Sequence, residues 1–319
     1  MPRLSSAGRR LARLVIFAMA GSLVAGCAGL APRAVMPQPE HVPARIELTR
    51  VPFFNQENDQ CGPAAMAMVL AWCGEPADPL VLKKEVFSPG RKGTLQPAML
   101  STARRHGKVA YEVRGAVSLF SQVAAGHPVI VLQNLGLSWH PVWHYAVVVG
   151  YDFQKQTIAL HSGRTPNKQV PFSVFENTWK KSDLWGLTIL PPDRLPANAS
   201  EKAYVEAIMG IERARQWQAA ALGYQTALAR WPSSLTALVG LGNASYNLGD
   251  LNTAETAFAK ACRLDPRFAP AFNNHAHILA ELGREQEALN AARQAVAIGG
   301  AMKDIYLKTL LEIQTRNVD

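Results

Sequence analysis

The chain has 319 residues, of which 48% are hydrophobic and 18% charged, and this length suits two modules that each bury a core. Its formal charge of +9 raises the question of a nucleic-acid partner, but four of the arginines fall within the first thirteen residues. The remaining basic residues form no stripe interleaved with aromatic side chains, so we predict that the chain does not bind nucleic acid.

Residues 1–26 are predicted to be a signal peptide of the lipoprotein type. Four arginines and no acidic residue precede an apolar run, Leu14 to Gly26, that is too short to span a bilayer comfortably. The run ends in a sequence similar to a bacterial lipobox, Leu23-Val24-Ala25-Gly26-Cys27. This similarity implies that Cys27 becomes the lipidated N-terminus. An ordinary cleaved signal is the alternative.

Ala28 follows Cys27, at the position where an aspartate is associated with inner-membrane retention. We therefore expect an outer-membrane lipoprotein that faces the periplasm and is held to the membrane by its lipid. Residues 27–50 are rich in proline and are predicted to form an extended tether. Loss of four arginines with the signal would lower the charge from +9 to +5, so the mature domains are only mildly basic.

A cysteine at a predicted helix N-terminus is the first candidate for catalysis. Cys61 precedes an apolar run, Ala64 to Trp72, that is long enough for about three helical turns. Pro63 suits the first turn of this helix and Gly74 suits its end. The helix macrodipole favours negative charge there and can lower a cysteine pKa well below its free value of about 8.5, which populates the thiolate nucleophile. The alternative is a buried structural cysteine in a core helix.

A histidine at the start of a predicted strand is the second candidate. His144 opens a β-branched run that ends near Asp152, and a polar stretch then leads into a second run, Thr157 to Ser162. The two runs predict a β-hairpin. A cysteine at a helix terminus followed by a strand-borne histidine is the arrangement of papain-like thiol hydrolases, in which the cysteine attacks and the histidine takes and returns the proton.

An ordered set of motifs resembles the bacterial double-glycine (bacteriocin-processing) peptidase family and its stand-alone relatives. The motifs are Val51-Pro52-Phe53-Phe54, Gln56, Cys61-Gly62-Pro63-Ala64-Ala65, Gly126 to Val131, His144 to Tyr151, Phe175 to Trp179 and a last strand near Leu187 to Leu190. The resemblance implies an α+β papain-like cysteine peptidase domain over residues 51–195. It also implies that Cys61 is the nucleophile, that His144 is the general base and then acid, and that no cofactor is needed.

By the same resemblance, Gln56 would donate its side-chain amide to the oxyanion beside the Cys61 backbone N–H, and such a donor is commonly worth about 3 kcal/mol. The family's glutamine usually stands six residues before the cysteine. Here Gln56 stands five before it, and Asn55 occupies the sixth position. Either amide can donate, so both remain candidates.

The third member of the triad departs from the family pattern. The family usually carries an aspartate on the strand after the histidine, in an Asp-Pro pair, and this chain has His161-Ser162-Gly163 there. Ser162 can accept the imidazole N–H, more weakly than a carboxylate does. His161 is the alternative, as in cell-wall peptidases of the NlpC type. Asp152 is too close along the strand of His144 to orient its ring.

The other histidines are weaker candidates. His140 lies in a loop with Trp139 and is a candidate for the substrate rim, whereas His127 is predicted to be a turn residue. His275 and His277 are predicted to be packing or surface groups. The Cys and His residues show no zinc spacing and the glycines form no phosphate-binding loop, so no metal or cofactor is predicted.

Cysteine usage favours catalysis over structural cross-links. Cys61 and Cys73 lie twelve residues apart on one predicted helix, about 18 Å along its axis. A disulfide needs Cα atoms within about 7 Å, so the two cannot bridge if the helix is continuous. Cys262 belongs to the second module and is predicted to pack as a small hydrophobe.

From Glu201 onward the chain repeats with a 34-residue period. Pro232 and Pro266 are 34 residues apart, and segment 235–268 is similar to the tetratricopeptide repeat nearly throughout its length. The domain 201–319 is predicted to hold three repeats and a capping helix, at 201–234, 235–268, 269–302 and 303–317. The first repeat is degenerate, because Ile208 and Met209 stand where a small residue is expected.

A stack of such repeats needs at least three units and usually binds extended peptides or partner helices on its concave side. We therefore expect a protein partner on the concave face. The alternative is a structural extension of the catalytic domain. A short proline-containing linker, 191–197, separates the two modules.

The sequence thus predicts a lipid-anchored thiol hydrolase that cleaves a peptide or peptide-like amide, with the helical repeats recruiting the substrate or a partner. The missing aspartate motivates one alternative, a scaffold or binding lipoprotein with a weak or inactive peptidase-like domain. His161 motivates another, a cell-wall amide hydrolase. The double-glycine preference of transporter-fused relatives is not carried over, because nothing in the sequence specifies the substrate.

Overall fold

We describe the protein from a computed structural model, which covers residues 36, 38–56, 60–91 and 93–316. The predicted signal peptide and Cys27 lie outside the described residues, as do residues 57–59 of the motif before Cys61. From residue 38 the chain forms an α+β region and then an all-helical region, so the predicted fold class is confirmed. Within the part of the chain that the structure describes, no helix combines the length and apolar character needed to cross a membrane.

An antiparallel sheet forms the centre of the α+β region. Its strands are β1 Arg45–Glu47, β4 Val109–Arg114, β5 Val129–Asn134, β6 Trp143–Asp152, β7 Thr157–Ser162, β8 Thr165–Pro171 and β9 Trp185–Leu190. Their spatial order is β4-β9-β5-β6-β7-β8, with β1 also paired to β6. A separate hairpin joins β2 (Phe87–Ser88) to β3 (Gly93–Thr94).

Strand β6 lies at the middle of the sheet because its β-branched run can be buried on both faces. All of its residues from Tyr145 to Asp152 are buried. It pairs with β5 on one side and, on the other side, with β7 in the predicted hairpin. The hairpin register pairs Val147 with His161, so the end of β7 lies beside the start of β6.

Strand β1 corrects the prediction that residues 27–50 are a tether throughout. Arg45, Ile46 and Glu47 pair with the last residues of β6, and Leu48 donates its N–H to the Val149 carbonyl at 2.7 Å. β5 ends its pairing with β6 at Val148, so the end of β6 has unpaired backbone groups on that side. β1 satisfies them, which places this part of the expected tether in the folded domain.

The helices of the α+β region pack around the sheet. They are α1 Cys61–Trp72, α2 Pro79–Val86, α3 Gln96–Arg105, α4 Gly115–Ala124 and α5 Phe172–Trp179, with 3-10 turns at Pro89–Arg91 and Lys180–Ser182. Helix α1 is buried from Gly62 to Leu70, as expected for a helix that is apolar on all sides. Its side chains share a core cluster with Tyr145, Val147 and Val149 of β6.

The helical region consists of antiparallel helix pairs and a last helix. Its helices are α6 Glu201–Arg213, α7 Trp217–Arg230, α8 Leu235–Asn247, α9 Leu251–Leu264, α10 Ala269–Glu281, α11 Glu285–Ile298 and α12 Lys303–Arg316. Ser200, Ser234 and Asp250 cap α6, α8 and α9 through their side chains, which satisfies N–H groups that the helices leave open.

Small residues let these helices approach each other closely. A Cβ atom on Gly242 of α8 would lie 2.6 Å from the Phe258 ring of α9, and one on Gly240 would overlap the Tyr224 ring of α7. The degenerate first repeat reverses the arrangement: the large Ile208 lies on α6, and the small Gly223 lies opposite it on α7. The pair therefore still packs closely although the position of the small residue has changed.

The two regions share a hydrophobic cluster. Val109 of β4 and Leu190 of β9 pack with Tyr204 and Ile208 of α6, and all four side chains are buried. The Tyr204 hydroxyl also donates to the Pro192 carbonyl at 2.9 Å. The helical region is thus joined to the sheet through a common core as well as through residues 191–197.

Candidate active site

Cys61 is the first residue of α1 and is half-buried. The first turn of α1 holds no acidic residue, and Gln60 at the N-cap makes no side-chain capping bond, so neither neutralises the positive end of the helix dipole. The next residue must be a glycine, because a Cβ on Gly62 would overlap the side chain of Thr94 on β3. The β2–β3 hairpin therefore lies directly against the turn that carries the predicted nucleophile.

His144 is the second residue of β6 and is half-buried. Its Nε2 lies 2.9 Å from the hydroxyl oxygen of Ser162, the last residue of β7. The β6–β7 register explains this contact, because it brings the end of one strand to the start of the other. Burial lowers the pKa of His144, and the charge of Lys168 lowers it further. The imidazole is therefore neutral at neutral pH, which is the form that can accept a proton.

Tyr145 lies on β6 directly after His144 and links this strand to the region around Cys61. Burial raises the pKa of the Tyr145 phenol, and the charge of Cys61 raises it further. Cys61 also packs against the hydrophobic cluster that contains Tyr145. The Tyr145 hydroxyl donates to the Thr94 carbonyl at 3.2 Å. Thr94 therefore contacts both the first turn of α1, through Gly62, and the third residue of β6, Tyr145.

Gln56 is fixed between the ends of β6 and β7. Its side-chain oxygen accepts the Gly163 N–H at 2.7 Å, and its amide nitrogen donates to the Tyr145 carbonyl at 3.3 Å. Its backbone N–H also donates to the Gly163 carbonyl at 2.9 Å. Gln56 is buried whereas Asn55 is exposed, so of the two candidate donors Gln56 is the one built into the region around His144.

His161 does not orient His144, contrary to the alternative considered above. Its Nε2 lies 3.1 Å from the Val51 carbonyl oxygen, and its Nδ1 accepts the Asn167 N–H at 3.1 Å. Both ring nitrogens are thus used by backbone groups. Neighbouring residues of a strand point to opposite faces, so Ser162 meets the imidazole while His161 points away.

The other histidines considered as candidates occupy other parts of the fold. His127 precedes β5, bonds the Gln122 side chain at 3.0 Å and has its pKa lowered by burial to about 4. His140 is exposed in the β5–β6 loop. In the helical region, His275 forms a hydrogen bond with Glu255 at 3.1 Å, and His277 forms one with Tyr246 at 3.1 Å. Across the residues that the structure describes, no group of three His, Cys, Asp or Glu side chains could hold a metal ion.

Cys73 and Cys262 are free thiols whose pKa values are raised by burial. The Cys73 thiol donates to the Ile189 carbonyl at 3.4 Å, and burial raises its pKa to about 12. Burial likewise raises the pKa of Cys262 to about 12. Both thiols are protonated at neutral pH and are therefore poor nucleophiles.

Three residues around the candidate site were not found from the sequence. Thr94 lies in a two-residue strand, which is too short to give a periodic signal. Tyr145 was part of a motif, but nothing in the sequence indicates that its hydroxyl crosses to Thr94. Lys168 acts on His144 only through the register of β8, which pairs it with Leu160.

Two family models match the chain. Residues 48–183 match the family described as "Peptidase_C39 like family", and residues 235–268 and 269–298 match the tetratricopeptide repeat. The chain therefore carries a Peptidase_C39-like domain followed by tetratricopeptide repeats. No curated protein matches the chain.

Several solved structures resemble one or the other region. A structure from Bacillus anthracis named as a C39-like peptidase is 18% identical, covers 46% of this chain and 97% of its own, and has a TM-score of 0.39. The first tetratricopeptide domain of Spaghetti (RPAP3), bound to an HSP90 peptide, is 13% identical, covers 37% of this chain and 94% of its own, and has a TM-score of 0.35. The type III secretion chaperone SycD of Yersinia enterocolitica, in complex with a peptide of YopD, is 14% identical, covers 37% of this chain and 97% of its own, and has a TM-score of 0.35.

Proposed function

We propose that the protein is a cysteine peptidase that cleaves a peptide or peptide-like amide with Cys61 and His144. The observation that carries this proposal is the hydrogen bond between His144 Nε2 and Ser162. The next residue of the same strand, Tyr145, belongs to the hydrophobic cluster against which Cys61 packs. The match of residues 48–183 to a peptidase-like family supports the same class.

The tautomer of His144 follows from its partner. When Nε2 carries the hydrogen, it donates to the Ser162 oxygen, and Nδ1 is left as the basic nitrogen. In the proposed reaction Nδ1 accepts the Cys61 proton, and the sulfur attacks the substrate carbonyl carbon. The tetrahedral intermediate then collapses to a thioester as the imidazolium returns the proton to the leaving amine. Water, deprotonated by the same nitrogen, hydrolyses the thioester and releases the thiol.

Gln56 is the proposed oxyanion donor. An amide nitrogen carries two hydrogens, and one of them is directed to the Tyr145 carbonyl. The second hydrogen, together with the Cys61 backbone N–H, would stabilise the developing oxyanion. The bonds to Gly163 hold the Gln56 side chain in place before substrate binds, which is what this form of stabilisation requires.

Labelling with a thiol-directed electrophile at neutral pH tests the proposal. We expect Cys61 to react faster than a free cysteine, and we expect the label to disappear in Cys61→Ala. Cys73 and Cys262 provide internal controls, since burial raises the pKa of each thiol to about 12 and should keep both unlabelled. A Cys61 that labels no faster than free cysteine would contradict the proposal.

A second candidate function, peptide binding without cleavage, is motivated by the presence of Ser162 where the resembling family has an aspartate. A hydroxyl holds an imidazole more weakly than a carboxylate does, so the domain could serve as a scaffold that binds peptides without cleaving them. This candidate predicts slow labelling of Cys61 together with measurable peptide binding. Fast labelling and turnover of any peptide substrate would exclude it.

We also propose that Cys27 carries a lipid that anchors the protein in the outer membrane, and that the concave face of the helical repeats binds a protein or peptide partner. The lipobox-like sequence before Cys27 supports the first part, and the match to tetratricopeptide repeats supports the second. Mass spectrometry of the purified N-terminus tests the anchor. A mature N-terminus other than a lipid-modified Cys27 would contradict it.

A further inference from the structure

An exposed apolar loop precedes His144. We call residues 135–142, which join β5 to β6, the Trp139 loop. Four of its apolar side chains are at least half exposed, and Trp143 at the start of β6 follows them. The exposed fractions are 53% for Leu135, 58% for Leu137, 81% for Trp139, 50% for Val142 and 49% for Trp143. So many exposed apolar side chains in nine residues are uncommon on a protein surface that has nothing to bind.

Hydrogen bonds hold the backbone of the loop. The Asn134 side-chain oxygen accepts the N–H groups of Gly136 and Val142, both at 2.9 Å. Leu135 donates its N–H to the Val142 carbonyl at 2.9 Å, and Lys181 donates to the Gly136 carbonyl at 2.7 Å. Binding to this surface would therefore not require the backbone of the loop to be ordered first, which is favourable for affinity.

The chemistry of the loop favours a peptide over a membrane surface. Residues 135–143 contain no Lys, Arg, Asp or Glu. Loops and helices that bind anionic membranes usually combine apolar groups with several cations, and Lys181, a cation that contacts the loop, is bonded to the Gly136 carbonyl. The loop also continues directly into β6, whose second residue is His144.

We infer that the Trp139 loop binds large apolar side chains of the peptide on which the proposed Cys61–His144 site acts. This inference rests on the proposed function for the identity of the peptide as a substrate. It names the substrate class: a segment in which bulky apolar residues, such as Leu or Phe, flank the bond that reacts. Leu137 and Trp139 have the most exposed large hydrophobic side chains of the loop and are therefore the residues chosen for substitution.

Peptide binding to the full chain tests the inference without depending on catalysis. Two fluorescein-labelled octapeptides of Gly and Ser, one with Leu-Phe at its centre and one with Ser-Ser, are titrated with the Cys61→Ala protein, and anisotropy is measured. We expect the Leu-Phe peptide to bind at least about 10-fold more tightly, and the double variant Leu137→Ser/Trp139→Ser to lose this preference. The matched control is Leu80→Ser/Val117→Ser, which removes two apolar side chains that are each 63% exposed elsewhere and should leave the preference intact.

Two outcomes would overturn the inference. One is an equal preference for the Leu-Phe peptide in the loop variant and in its parent. The other is the absence of any peptide preference together with loop-dependent binding to phosphatidylcholine vesicles, which would assign the loop to a lipid surface. Neither measurement uses the thiol. Failure of Cys61 labelling would therefore leave peptide binding by the loop standing and remove only the identification of that peptide as a substrate, whereas failure here would leave the proposed reaction standing.

Discussion

The α+β region and the helical region bury their helices by different means. Helix α1 packs against residues that lie far away in the sequence, such as Tyr145 and Val147 of β6. The helices of the C-terminal region are closed by small and large residues in neighbouring helices, such as Gly242 and Phe258. Spacing within one repeat therefore specifies the helical region, whereas the candidate site depends on strand register. Substitutions in the two regions should accordingly affect different properties.

The largest expected effect tests whether histidines in the two regions differ in function. We expect His144→Ala to lower the rate of peptide hydrolysis by about 1,000-fold, because the thiol loses its base. Thermal stability should change little, since the side chain is only half-buried. His277→Ala, which removes a hydrogen bond to Tyr246 in the helical region, should leave the rate unchanged. An equal loss of hydrolysis rate in the two variants would contradict the assignment of His144 as the base.

The next effect concerns stability and belongs to the helical region. We expect Gly242→Ala to lower the free energy of unfolding by about 1–3 kcal/mol, because the new methyl group would lie 2.6 Å from the Phe258 ring. Gly90→Ala is the matched control, since a Cβ atom there meets open space. Urea denaturation followed by circular dichroism measures both. A Gly242→Ala protein as stable as the control would show that the helix pair is packed loosely.

The third substitution sharpens the role of strand register in the candidate site. We expect Ser162→Ala to slow hydrolysis by about 10-fold, because the His144 ring loses the hydrogen bond that orients it. Ser162→Asp should restore the rate or exceed it, because a carboxylate is the stronger acceptor. Thr165→Ala, an exposed neighbour on β8, serves as the control. An unchanged rate in Ser162→Ala would mean that Ser162 does not position the imidazole.

The smallest effect is a shift in pH dependence. The acid limb of kcat/KM is expected to follow His144, which is active when neutral and inactive when protonated. The burial of His144 and the charge of Lys168 lower its pKa. Lys168→Gln removes one of these causes, so the pKa should rise and the acid limb should move to higher pH. The control is Lys180→Gln. The Lys180 ammonium donates to the Asn177 side chain, and its removal should not change the pH of the acid limb. A shift to lower pH would contradict the assignment.

Prediction from the sequence succeeded where the residues that matter are close together in the chain. The helix that begins at Cys61, the β6–β7 hairpin and the repeats from Glu201 each follow from local patterns. The order of Ile208 and Gly223 shows why one repeat looked degenerate: the small residue had moved to the facing helix, so its position within the 34-residue period no longer matched.

The missed features depend on pairing between distant segments. β1 has three residues, two of them charged, and its strand conformation is stabilised by the end of β6, which lies more than a hundred positions later in the chain. The choice between Ser162 and His161 required knowing which face of β7 turns toward β6. A shift of one residue would exchange them, so composition and spacing alone left both open.

The cluster formed by Val109, Leu190, Tyr204 and Ile208 has a consequence for selectivity by length. These side chains join the repeats to the sheet through one core. The distance between a peptide bound to the helices and the Cys61 thiol would therefore be constant. If the proposed peptidase and the proposed peptide-binding face are both correct and the repeats bind the substrate, only chains long enough to bridge that span would be cut. The helical region would then determine the position of cleavage.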